Sequence, residues 1–171
     1  DGKEVTKAKE ADMRIIRGDM VSMNFQDPMT SLNPIIPVGE QIEEVLLLHT
    51  KMSKEERSSQ VDRILESVGL QPSRKNEYPH QFSGGMRQRI VIAMALACEP
   101  GLLLADEPTT ALDVTIQAQV LRLMNELKNK MNMGMLLITH DLGVVAQTCD
   151  RVAIMYGGKI IDQGWVQAFP Y

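Results

Sequence analysis

Apolar residues recur along this chain at two different periods, and the alternation of the two predicts its elements. Between Ser53 and Gly69, Val61, Ile64, Leu65 and Val68 stand three and four apart, the spacing of a helix with one buried face. Ser53-Lys54-Glu55-Glu56 sets a serine three residues ahead of a glutamate, so that helix starts in a capping box, and Gly69 stops it. After Asp113 the same period returns in Ile116, Val120, Leu123, Met124, Leu127 and Met131. Residues 10–17 and Val38–His49 also read as helices. Met86–Cys98 is apolar almost all round, which predicts a buried helix.

Short apolar runs bounded by turn residues predict the strands. Met20–Phe25 alternates and ends at Gln26, Leu102–Ala105 follows Pro100-Gly101, and Met135–Thr139 precedes His140. Asp141 is placed to cap a helix after that last strand. Arg151–Tyr156 and Lys159–Asp162 flank Gly157-Gly158, a hairpin signal. Asp27-Pro28 and Asn33-Pro34 break regular structure, and residues 71–81, with Pro72 and Pro79, read as polar and irregular. Strands therefore alternate with helices at both ends of the chain, while 37–98 is mostly helical. The pattern predicts an α/β sheet core with a helical lobe inserted between residue 27 and about residue 98.

Composition narrows the class. The 171 residues suffice for one domain with a core, or one domain plus a small lobe. A hydrophobic share of 44% with 23% charged residues fits a globular chain. The net charge of −4 argues against nucleic-acid binding as the main activity. The longest apolar run, Ile90–Cys98, is nine residues, against about 20 for a bilayer-spanning helix. The charged stretch Asp1–Glu10 has no signal-peptide core, and Cys98 and Cys149, with no C-x-x-C, read as reduced thiols of a cytosolic protein.

The candidate chemistry sits where strands end and helices begin. Leu102-Leu103-Leu104-Ala105 delivers Asp106-Glu107 to the carboxyl end of a buried strand. One such carboxylate suits Mg²⁺ and its neighbour suits taking a proton from water; strand ends also carry Asp for a loop or cap. His140 follows the next strand and would reach the same sheet edge if the strands are parallel, or be a surface loop histidine. Gln26 ends the first strand, where an amide both donates and accepts; it also reads as a turn residue before Asp27-Pro28. Ser83-Gly84-Gly85 opens a helix with free N–H groups, suited to phosphate or to an ordinary N-cap. Arg87 and Arg89 read as phosphate ligands or as a solvated helix face, and Asp113 as a functional acid or the cap of its helix. A phosphate loop of the form G-x-x-x-x-G-K-[ST] does not occur: Gly158-Lys159 has Ala153 and Ile160 at the required Gly and Ser/Thr positions, and Gly2-Lys3 is followed by Glu4.

Gln26, Ser83-Gly84-Gly85, Asp106-Glu107, Asp113 and His140, in this order and spacing, resemble the ATP-binding subunit of ABC transporters over essentially the whole chain. Finer strings are similar to the oligopeptide/dipeptide (and nickel) importer branch: the run Phe25–Pro34, then His80-Gln81-Phe82-Ser83-Gly84-Gly85-Met86-Arg87-Gln88-Arg89, and Ala105–Thr115. Phe82 and Met86 replace the ends of the common Leu-Ser-Gly-Gly-Gln signature but not its phosphate-facing Ser and Gly. The resemblance implies a P-loop NTPase-like ABC ATPase core over 1–27 and 99–171, truncated at the N-terminus, with an inserted helical signature subdomain over 28–98.

The resemblance also implies roles. Glu107 would be the general base, His140 the switch histidine on the γ-phosphate, and Gln26 the residue touching Mg²⁺ and water. Asp106 would be the Mg²⁺-side acid, Ser83, Gly84 and Gly85 would contact ATP held by the opposite subunit, and Asp113 would act across the dimer interface. The cofactors implied are ATP and Mg²⁺. The partners implied are a second ATP-binding subunit, transmembrane permease subunits and a separate binding protein that delivers cargo, with no nucleic acid. The place implied is the cytoplasmic face of the inner membrane, peripherally held. The intact subunit would be an ATP hydrolase driving import of oligopeptides or dipeptides. The family's phosphate loop and adenine-stacking aromatic would lie upstream of Asp1 and a C-terminal extension beyond Tyr171, leaving this chain inactive by itself. Two alternatives are a loop-less or truncated binding module that lends its signature to a partner ATPase, and a soluble non-transport ABC ATPase.

Overall fold

Three parallel strands and the helices between them organise the chain. The computed structural model describes Val5 and residues 8–24, 31–110 and 112–168. Helix α1 (Glu10–Ile15) runs into a π-helical turn over Ile16–Met20 that the sequence periodicity does not announce. Strand β1 (Val21–Asn24) follows; the strand end expected at Gln26 and the Asp27-Pro28 break lie outside the described residues. Helices α2 (Val38–His49), α3 (Lys54–Ser67) and α4 (Gly84–Leu96) come next, then β2 (Leu102–Asp106) and α5 (Val114–Lys130). Strand β3 (Gly134–Ile138), α6 (Leu142–Thr148), β4 (Arg151–Tyr156) and β5 (Lys159–Trp165) complete the order.

The sheet order is β1-β2-β3, all parallel, with Val21 opposite Leu102 and Asp106 opposite Ile138. β2 is the central strand, which explains its unbroken apolar run. Leu103 and Ala105 are fully buried on one face. Because the strands are parallel, Asn24, Asp106 and Ile138 end on the same edge. β4 and β5 pair antiparallel through Gly157-Gly158, both at positive φ, as a tight hairpin demands. The ladder extends β5 to Trp165, three residues past the apolar alternation, because pairing with β4 rather than side-chain pattern sets its end.

Local chemistry explains the helix boundaries. Ser53 Oγ accepts from Glu56 N–H at 3.2 Å while Glu56 Oε2 accepts from Ser53 N–H at 2.7 Å, the expected capping box. At the other end Gly69 has φ +74°, and Arg89 Nη1 donates to the Val68 carbonyl at 3.0 Å, so this arginine caps α3. The stretch 71–81 is less irregular than its composition suggests: Pro72–Asn76 and Pro79–Gln81 are 3₁₀ turns, each with proline in its first turn where a missing N–H costs nothing.

Helix α4 packs against α2, α3, α5 and β1, which accounts for its nearly all-round apolar surface. Ile90, Ile92, Ala93 and Leu96 are completely buried and join Ile42, Leu46, Leu65 and Val68 from α2, α3 and the segment after it. On α5, Val120, Met124 and Leu127 are buried. Each large aliphatic side chain so placed contributes about 1.5–3 kcal/mol. The exposed Arg122–Glu126 pair on the same helix, at 3.2 Å, contributes a few tenths at most, about 0.3–0.5 kcal/mol. Packing, not surface charge, holds the helix. Among the described residues no helix is long and apolar enough to cross a membrane.

Candidate functional site

Strand β2 hands Asp106 to the carboxyl edge of the sheet, and the chain then turns sharply. Glu107 has φ +43°, in the left-handed region, and its N–H donates to the Ile138 carbonyl at 2.9 Å. That bond ties the acid to the end of β3, two residues before His140. His140 Nδ1 lies 3.1 Å from Glu107 Oε1. The glutamate side chain is 24% exposed and the histidine 75%, so a carboxylate half-withdrawn from water meets an imidazole open to it. Thr110 Oγ1 donates to Glu107 Oε2 at 2.7 Å. Both oxygens of Glu107 are therefore oriented by neighbours, and the part played by one of them, Thr110, does not show in the sequence. Its signal is a hydroxyl three residues after an acid in a turn, common enough to pass unnoticed.

Asp106 is half-buried and directly precedes this pair. Among the described residues no group of three or more His, Cys, Asp or Glu could cage a metal ion. A lone strand-end carboxylate nevertheless fits Mg²⁺, which usually keeps several waters and takes one or two carboxylates plus substrate phosphates. Gln26, expected at the same edge two residues past Asn24, lies outside the described residues.

Ser83 and Asp113 form a second grouping. Each is an N-cap in extended conformation: Ser83 Oγ accepts from Met86 N–H at 3.4 Å and Asp113 Oδ1 from Ile116 N–H at 3.0 Å. Both side chains are exposed. The two helix starts abut, since a Cβ on Gly85 would sit 2.5 Å from Ile116 Cγ2 and one on Gly84 would sit 3.8 Å from Leu112. Glycine at position 85 is thus required by close packing between α4 and α5. Asp141 caps α6 as expected, accepting from Val144 N–H at 3.2 Å.

The remaining candidates fall elsewhere. Arg89 is committed to the Val68 carbonyl, and Arg87 Nε is buried without a hydrogen-bond partner among the described residues. Neither Cys98 nor Cys149 is in a disulfide. Burial, then the adjacent Asp150 carboxylate, pushes the Cys149 thiol up, away from thiolate chemistry.

An acid pair and an imidazole on one edge, with an N–H-rich turn on a neighbouring helix, are chemically suited to a phosphate and its hydrolysis. The family model described as ABC transporter matches residues 1–110. The chain belongs to the ABC transporter family. Within that family it is 55% identical to the oligopeptide transport ATP-binding protein OppD of Bacillus subtilis, over 100% of this chain and 48% of that protein. It is 58% identical to the dipeptide transport ATP-binding protein DppD of the same organism, over 95% of this chain and 49% of that protein. The ABC transporter chain thus spans about half the length of the curated relatives it matches. Among solved structures, the ATP-binding cassette MJ0796 in a dimeric post-hydrolysis state with ADP and Pi superposes with a TM-score of 0.84 at 29% identity, over 99% of this chain and 72% of that one. The expected α/β ABC ATPase fold is correct.

Proposed function

We propose that this chain is the catalytic-edge and signature portion of an ATP-hydrolysing subunit of an ABC importer for oligopeptides or dipeptides. The observation that carries the reading is the 3.1 Å contact between Glu107 and His140 directly beyond Asp106. A base must be held, and held dry enough to be basic, beside a group that senses the phosphate. In this reading Glu107 takes a proton from the attacking water, and His140 hydrogen-bonds the γ-phosphate while holding the base through Nδ1. Asp106 and Gln26 would hold Mg²⁺, which would supply positive charge against the phosphate being transferred.

Catalysis of this kind is positioning plus charge stabilisation. The exposed Ser83 turn opens α4 whereas Asp106-Glu107 end strand β2, and Asp113 caps the helix start beside the turn. We assign Ser83, Gly84 and Gly85 to ATP held by a second ATP-binding subunit and Asp113 to the interface between the two. Binding of ATP closes the pair and hydrolysis opens it, because the nucleotide contacts both copies only when closed. Residues 28–98 form the helical subdomain of this reading, and 1–27 with 99–171 the core. The subunit lies peripherally on the cytoplasmic face of the membrane, works with permease subunits, and receives cargo through a separate binding protein. The names of the OppD and DppD relatives support peptides as that cargo.

The test is Glu107→Gln in the subunit expressed from its full reading frame. ATP binding persists and steady-state turnover is lost; unchanged turnover refutes the base. Residues 1–171 by themselves bind ATP weakly and do not turn it over, since they contain no G-x-x-x-x-G-K-[ST]. A full frame without that motif would favour a module that only lends its Ser83 turn.

A further inference from the structure

The segment that leads into the Ser83 turn is held by one cation. Arg74, in the Pro72–Asn76 turn, donates from Nε to both Glu77 oxygens at 3.0 Å and from Nη2 to Glu77 Oε2 at 2.7 Å. Nη2 also donates to the Gln81 carbonyl at 3.2 Å, and Nη1 lies 3.7 Å from Met86 Sδ. The guanidinium carbon stands 4.3 Å from the centroid of the Phe82 ring. These hydrogen bonds and the ring contact all fall within 77–86. Phe82 and Met86 are the residues on either side of Ser83-Gly84-Gly85.

Besides Arg74, the turn is held by Arg87 N–H, which donates to the Ser83 carbonyl at 2.9 Å, and by the packing of Gly85 on Ile116. Ser83 makes a long cap bond of 3.4 Å, and Phe82 is extended, outside both flanking helices. Gln81 Oε1 accepts from Tyr78 N–H at 2.8 Å, closing the short 3₁₀ turn on itself without tying it to the rest of the fold. Phe82 is 4% exposed and fixed in the core, so the plane of Arg74 joins a rigid ring to a loop. Only a planar fork serves this geometry: it stacks on a ring face while donating in its own plane to two acceptors. A lysine keeps the charge but has no planar fork with which to do both at once.

We infer that Arg74 is a positioning residue for the Ser83-Gly84-Gly85 turn, setting where its N–H groups stand toward a triphosphate. This rests on the reading of that turn as donor to the partner subunit's ATP. The Arg74–Glu77 pair is about one-third exposed, 27% and 32%, so it adds little to global stability. Its loss acts on placement, and small misplacements of reacting groups cost large factors in rate.

The experiment uses the subunit from its full reading frame, with Arg74→Lys and Arg74→Ala. Expected in both are a kcat lower by about tenfold, ATP affinity of the dilute monomer within about twofold, measured with a fluorescent ATP analogue, and a nearly unchanged melting temperature. Lysine keeps the charge yet does not rescue. Wild-type turnover in Arg74→Lys overturns the inference. So does ATP affinity that falls in step with kcat, or failure of both variants to fold, since either makes Arg74 a general structural residue. Ser83→Arg, which fills the turn, is the control. Unchanged turnover there refutes the turn's role itself; turnover lost there but retained in Arg74→Lys refutes only Arg74's part.

Discussion

Glu107 is restrained at its backbone, by the Ile138 carbonyl, and at both carboxylate oxygens, by His140 and Thr110. Such restraint is what a proton acceptor needs, because an acid free to rotate spends most of its time misaimed. Thr110→Val keeps the shape and removes the hydroxyl. It is expected to lower kcat about tenfold with KM little changed, read by steady-state ATPase kinetics; a KM rise at constant kcat would contradict this. A second pair of residues is legible only in three dimensions. Asn24 at the end of β1 and Gln88 on α4 are both fully buried, and Gln88 Nε2 donates to Asn24 Oδ1 at 3.5 Å. Asn24 Nδ2 and Gln88 Oε1 have no hydrogen-bond partner among the described residues. Asn24→Leu therefore costs about 1–3 kcal/mol by orphaning the glutamine, and Gln88→Met added to it recovers most of the loss. Urea unfolding of the single and double variants measures the cycle.

At the scale of elements, the contact between the starts of α4 and α5 sets the geometry of the Ser83–Asp113 grouping. Gly85→Ala drives a Cβ into Ile116 Cγ2, on a β-branched side chain with little freedom to move. Overpacking of this kind costs about 1–3 kcal/mol, and Ile116→Ala in the same chain relieves the clash while opening a small gap. A melting temperature lower in Gly85→Ala and partly restored in the double variant is the expected result. The segment before the turn carries a pH dependence. The hydrogen bond from Arg74 holds the Glu77 carboxyl below its ordinary value of 4.5. A depressed folded pKa stabilises above the unfolded value, and the contribution is lost as pH falls from 4.5 through the lower folded value. Glu56, held down first by the Ser53 backbone N–H, acts with the same sign. Melting temperature should therefore fall on acidification below about pH 4.5, and Glu77→Gln should remove only a small part of that slope, because the pair is screened by water.

For the whole molecule, the proposed sharing of the site between two copies would make one demand. The Glu107→Gln subunit from the full reading frame should elute at dimer mass with ATP and at monomer mass with ADP, measured by light scattering; ATP-independent mass would count against the shared site. Most helices and strands were readable from period, caps and turn glycines, though not the π-turn over Ile16–Met20, the 3₁₀ turns of 71–81 or the end of β5: the Ser53 box, the Gly69 stop and the Gly157-Gly158 hairpin each have a local cause, and local causes are written in neighbouring residues. The candidate acids and His140 were readable as strand-end residues for the same reason. What they do to one another was not. Parallel pairing of β2 with β3 brings Glu107 to His140 across 33 positions of chain, the left-handed turn at Glu107 aims one oxygen at Thr110, and a single planar cation reaches from one 3₁₀ turn to the ring and sulfur that bracket Ser83. The Glu107–His140 and Arg74–Met86 contacts join residues that share no local pattern, so they exist only once hydrophobic burial has brought their elements together.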